Sequence, residues 1–322
     1  MSRLCLSPDW IPISAFLILV LTIADGCDFQ RTVEIDGPDH SPKLVVNSEI
    51  RPGQPWRVDV SKSIGAFQSG EPEDSTSTVS DATVTVYQND QRQGTLSLDS
   101  RRQYSTQRFT PRRGTEYTVR VTAPDLGTVE ATDRVPHMPP AQLGAQGIEG
   151  RDTNFDRALQ LTINDPADTT NYYHIALQQN GYYRDSTSID TTGVSDVRFQ
   201  TRDRSIINEM SGEFELGEQN SYQGREATFR DPLFDGTRHR IELRVFDRVY
   251  FPNRDEARIE YVLYLSAVSK DLYQFLRTRR LHDGIEGNPF AEPVEVHSNV
   301  EGGYGIVGAR VVDTLRVEVE VK

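Results

Sequence analysis

Apolar and polar positions alternate with period two along most of this chain. Leu44-Val45-Val46-Asn47 opens the pattern, and Trp56-Arg57-Val58-Asp59-Val60 repeats it after a turn at Arg51-Pro52-Gly53-Gln54. Such alternation is the signature of half-buried strands. Further runs follow at Ala82–Tyr87, Thr95–Leu98, Tyr104–Phe109, Tyr117–Thr122 and Gly127–Val135, with a turn at Asn89-Asp90. About seven short strands over 43–136, each bounded by turn residues, predict an immunoglobulin- or fibronectin-III-like β-sandwich. Within it, Phe109-Thr-Pro111-Arg-Arg-Gly114-Thr-Glu-Tyr117 reads as a tyrosine corner, with the Tyr117 hydroxyl bonded back to upstream backbone. The polar stretch from Gln68 to Ser80 reads as a loop.

A segment rich in proline and glycine, 137–150, marks a linker. Strand patterns resume in 151–322, at Ala158–Ile163, Tyr172–Leu177, Arg238–Asp247, Ile259–Leu265 and Thr314–Val321. Asn180-Gly181 predicts a hairpin turn. Asp185–Asp196 and Glu209–Arg225 read as long loops or an insertion. One helix interrupts the strands near 268–280: Val268, Leu272, Phe275 and Leu276 share a face, Ser269 caps it, and Arg277, Arg279 and Arg280 complement its C-terminus. The expected architecture is therefore mainly β: a first sandwich, then a larger β-rich domain with one clear helix.

The longest apolar run breaks this pattern. Ile13–Ala24 is too short to span a bilayer comfortably and ends in Asp25-Gly26-Cys27. It matches the apolar region of a cleaved signal with a small residue before the cut. Residues 1–26 read as a lipoprotein signal peptide, Cys27 as the acylated first residue, and 27–42 as a polar tether. Asp25 is unusual at its position, and ordinary secretory cleavage is the competing reading. Asp28 would direct inner-membrane retention under enterobacterial sorting rules, so the membrane face stays open between periplasmic and extracellular.

Composition adds limits. The only cysteines are Cys5 and Cys27, so a mature chain has no internal disulfide and rests on core burial. The formal net charge is −13, which makes nucleic acid and anionic lipid surfaces poor partners. Lysine is confined to Lys43, Lys62, Lys270 and Lys322. A GC-rich genome and an adaptation to high salt both account for that.

No motif assigns catalysis, a metal or a cofactor. Gly303-Tyr-Gly305-Ile-Val-Gly308 has the letters of a dinucleotide fingerprint but lacks a following helix, so it reads as a bulge or a close backbone approach. The six histidines (His40, His137, His174, His239, His282 and His297) show no metal-ligand spacing. Asp165-Pro-Ala-Asp168 and Asp231-Pro-Leu-Phe-Asp235-Gly236 are acidic turns with the donor types Ca²⁺ favours, and equally ordinary turn residues.

Four segments carry a resemblance: 43–63 (KLVVNSEIRPGQPWRVDVSKS), 79–90 (VSDATVTVYQND), 270–278 (KDLYQFLRT) and 287–309 (GNPFAEPVEVHSNVEGGYGIVGA). Together they resemble an uncharacterised domain-of-unknown-function family of Bacteroidota-type outer-membrane lipoproteins found beside TonB-dependent transporters. The resemblance implies an outer-membrane, surface-facing lipoprotein and supplies no catalytic residues. The expected function is that of a lipid-anchored binding or accessory protein of a TonB-dependent transport system. A structural or adhesive surface protein is the alternative, and a hydrolase with a non-local site is the third reading.

Overall fold

The computed structural model describes residues 41–65, 78–147, 157–184, 189–210, 220–245, 257–285 and 290–320. The expected signal, Cys27 and most of the expected tether lie outside these residues, as does most of the Gln68–Ser80 stretch. The chain is mainly β, as its alternation predicts.

Seven strands build the first part: β1 (Leu44–Ile50), β2 (Trp56–Lys62), β3 (Thr83–Gln88), β4 (Gln91–Leu98), β5 (Tyr104–Thr106), β6 (Glu116–Ala123) and β7 (Gly127–Arg134). The pleat sends Leu44, Val46 and Ile50 of β1 inward with Trp56, Val58 and Val60 of β2. Asn89 and Asp90 take positive φ values of 45° and 63° and close the β3–β4 hairpin. β4 pairs with both β5 and β3, and so carries the chain from one layer of the sandwich to the other.

The Tyr117 corner forms. Its hydroxyl accepts the Arg112 backbone N–H at 2.9 Å, and its ring meets Trp56 edge-on at 5.4 Å. Phenylalanine would keep the ring contact and leave that N–H without its acceptor. Tyr117→Phe is expected to lower unfolding free energy by about 1–2 kcal/mol in urea denaturation.

The second part comprises β8 (Ala141–Gly147), β9 (Arg157–Asn164), β10 (Tyr172–Arg184), β11 (Ile189–Asp196), β12 (Phe199–Thr201), α1 (Arg204–Met210), β13 (Tyr222–Gly224), β14 (Glu226–Arg230), β15 (Arg238–Val245), β16 (Ala257–Val268), α2 (Lys270–Ile285) and β17 (Tyr304–Glu320). Its second sheet runs β13-β12-β15-β9-β8. That sheet faces β10, β16 and the end of β17 across a core of Leu159, Leu161, Tyr173, Ile175, Leu243 and Leu263.

Three sequence expectations change. Asn180-Gly181 is not a turn. Both residues sit inside β10, whose register with β16 runs unbroken from Tyr172↔Val268 to Tyr183↔Ala257, while the β11 side takes up a bulge there. A long partner strand overrides the local turn preference. The 137–150 linker contains β8, whose small and amide side chains conceal its alternation. The polar stretches 185–196 and 209–225 contribute β11 and β13, and α1 is a second helix that the pattern did not show.

The predicted helix is α2. The Ser269 hydroxyl accepts the Leu272 N–H at 3.3 Å, which is the expected cap, and Asp271 lies in the first turn. Leu272 and Tyr273 are its buried residues, with Phe275 and Leu276 packed beside them.

β17 joins the two parts. Tyr304–Ala309 pair in parallel with Val45–Ile50 of β1, and Arg310–Glu320 pair antiparallel with β16. Its Val307, Ala309 and Val311, together with Val300, belong to the first core. The first sandwich therefore takes in more chain than 43–136. One unbroken path of pairing, β11-β10-β16-β17-β1-β2-β5-β4-β3-β6-β7, results.

Candidate functional site

The outward residues of β1 and β2 form an open polar groove of about 380 Å³. Asn47 and Asp59 face each other in register, and Glu49, Arg51, Gln54 and Arg57 also line the groove. Beneath it the inward Ser48 fixes the floor: Trp56 Nε1 donates to Ser48 Oγ at 2.8 Å, and Ser48 Oγ donates to the Arg57 carbonyl at 2.6 Å. Glu49 Oε1 lies 2.5 Å from Arg51 Nε and 3.5 Å from Arg310 Nε. Asp59 accepts from Gln103 at 2.9 Å, and Asn47 accepts the Ile306 N–H at 3.2 Å. The groove thus offers guanidinium donors and carboxylate acceptors within one small area. Such a lining can hydrogen-bond a polar solute of mixed donor and acceptor character.

Next to Arg310, His174 is buried on β10. Burial, reinforced by Arg310, lowers its pKa to about 4, so its ring is neutral at pH 7. The 3.6 Å approach to Glu226 is therefore a dipolar contact and not an ion pair, and Nδ1 bonds Thr228 Oγ1 at 3.0 Å. His174 is thus a buried strand residue whose Nδ1 is satisfied by Thr228.

The two acidic turns meet. Asp165, Asp231 and Asp235 place ligand atoms within 4.8 Å of one another. The oxygens of Asp165 already accept the Tyr173 hydroxyl and the Gly236 N–H, and Asp231 accepts the Asn171 N–H at 2.6 Å. Burial raises the Asp231 pKa, and the Asn171 hydrogen bond opposes that. These bonds tie the β9–β10 connection to the β14–β15 connection. With its acceptors so engaged, the cluster is expected to leave the melting temperature unchanged in millimolar Ca²⁺. A rise of several degrees would reassign it as a cation site.

Among the described residues the histidines do not converge. His239 pairs with Asp203 at 2.9 Å and stacks on Phe234, His297 pairs with Asp271 at 2.9 Å, and His282 meets the Val294 carbonyl. Gly303 and Gly305 line up against β1 backbone, which is the close approach expected of the late glycines.

The deciding observation comes from comparison of sequences. The family model described as "Domain of unknown function (DUF4249)" matches residues 30–316. The chain belongs to the DUF4249 family. All four segments that carry the resemblance lie inside the match. In the structure three of them converge: 43–63 carries β1 and β2, 270–278 opens α2, and the described part of the last, 290–309, runs into β17. These three segments thus meet where β17 joins β1 beneath α2. The groove on β1–β2 lies beside it, a feature no motif announced; its outward positions are the polar Asn47, Glu49, Arg57 and Asp59. No curated protein matches this DUF4249 chain.

Proposed function

We propose that this DUF4249 protein is a lipid-anchored, outer-membrane, surface-exposed binding protein that serves a TonB-dependent transporter. The observation that carries the reading is Cys27. It follows an apolar run of signal-peptide length and stands three residues before the family match begins at residue 30. A thiol there is the acceptor for acylation, and the family body begins directly behind it. The polar groove on β1–β2 supplies a place for a hydrogen-bonding solute, and the acidic surface argues against nucleic acid as a partner.

The test has two arms. Palmitate labelling should be lost in Cys27→Ser, and the variant should leave the membrane fraction. Mild-detergent extraction of the unaltered protein should bring a TonB-dependent transporter with it. Labelling that survives Cys27→Ser removes the anchor. Clean extraction as the protein alone removes the transporter.

A further inference from the structure

We infer that β8 is a self-pairing edge through which two copies of this chain join their second sheets. Among the described residues β8 ends its sheet: Ala141–Gly147 pair with β9 along the whole strand, and no strand pairs with the other side. Exposed edges are usually blunted by charge, proline or a bulge. β8 carries none of these. Its register with β9 runs without a shift, and it is the only described strand of seven residues or more that lacks a charged side chain. That is notable in a chain with 26% charged residues, whose own open-edged stretch of β17 carries Arg310, Asp313, Arg316, Glu318 and Glu320.

The strand's order of residues identifies the occupant. Ala-Gln-Leu-Gly-Ala-Gln-Gly is near-symmetric in residue class about Gly144: Gln142 matches Gln146, apolar Leu143 matches Ala145, and small Ala141 matches Gly147. Antiparallel pairing with a second copy, on a twofold axis at Gly144, sets Gln142 opposite Gln146, Leu143 opposite Ala145, and Gly144 opposite itself. A twofold contact needs such self-complementarity. The two faces also match. Ala141, Leu143 and Ala145 pack on the second core, so pairing would continue that apolar layer into the other copy. Gln142, Gly144 and Gln146 are exposed, and Gln146 already makes a cross-strand amide bond with Gln160 at 3.0 Å. The same amide bonding would recur across the axis.

Cysteine scanning on the full chain tests the pairing. Directly opposed residues of antiparallel strands have Cα atoms about 4.5–5.5 Å apart, within disulfide reach. A Cβ at Gly144 meets nothing within 4 Å, so Gly144→Cys should fold. Under mild oxidation it should run mainly as a covalent dimer on a non-reducing gel. Gln142→Cys should not, because position 142 lies roughly 14 Å from its own copy in this register. The double variant Gln142→Cys/Gln146→Cys should cross-link again. Light scattering should give a dimer for the unaltered protein and a monomer for Gly144→Lys, with melting temperature otherwise alike. An uncross-linked Gly144→Cys chain, equal cross-linking at position 142, a band containing a different protein, or a monomeric unaltered chain would each overturn the inference.

Discussion

Replacing Gly305 with alanine should unseat the last strand and cost more than about 4 kcal/mol, the range reserved for severe single substitutions. Gly305 has φ +107°, a region closed to most side chains, and a Cβ there would sit 2.2 Å from the Val46 carbonyl oxygen and 2.8 Å from its carbon. Both are backbone atoms, so no side-chain rotation relieves the clash. Gly303 has the same problem with the Leu44 carbonyl at 2.5 Å. The only escape is for β17 to move off β1. That exposes Val307 and Ala309, which are fully buried, and opens the first core. Urea denaturation should show the loss, and the variant should become protease-sensitive within 43–136. A Gly305→Ala chain as stable as the parent would show that the β1–β17 contact is not required.

The second large effect concerns pH. Asp133 of β7 is buried against the start of α2, where it accepts the Ser269 hydroxyl and the Arg134 N–H. The same Ser269 oxygen accepts the N–H groups of Leu272 and Ala309, so one side chain links β7, α2 and β17. Burial, only partly offset by these hydrogen bonds and worsened by Asp271, raises the Asp133 pKa from 3.8 to about 7. The native protein thus holds this proton in a pH range where the unfolded chain has released it. The stabilisation from that proton is fully present below about pH 4, fades as pH rises towards 7, and is gone above it. The full swing is roughly 4 kcal/mol at most. Asp133→Asn removes the ionisation and keeps the shape. Its stability curve should be flatter across this window and should cross that of the parent, weaker in acid by one altered hydrogen bond and stronger above pH 7. Parallel curves for the two chains would refute the assignment.

The strands and α2 were legible in the sequence because each follows a local period: inward Leu44, Val46, Trp56 and Val58, and the capped Ser269–Leu276 stripe. What escaped were features set by distant partners. Asn180-Gly181 has a strong turn preference, yet β16 holds it extended. β8 has no large apolar residue except Leu143, so its alternation carries little hydrophobic contrast. The groove needed the β1–β2 register, since Asn47 and Asp59 are neighbours only once the strands pair. The meeting of Asp165 with Asp231 likewise depends on two connections that are far apart in the chain. Cys27, on which the proposed address rests, is read from the apolar run that precedes it.

β17 also bears on how the molecule is made. Ile306 bonds Asn47 across 259 residues of chain. Contacts of such sequence separation form late, because the entropy of closing so long a loop must be met first. Until Tyr304–Ala309 arrive, β1 has a vacant edge and the first core lacks Val307, Ala309 and Val311. A chain that stops short of Tyr304 can therefore complete neither the first sandwich nor the seat of α2. Closure of the first core thus waits on β17, and copies terminated before Tyr304 are expected to stay open to proteases.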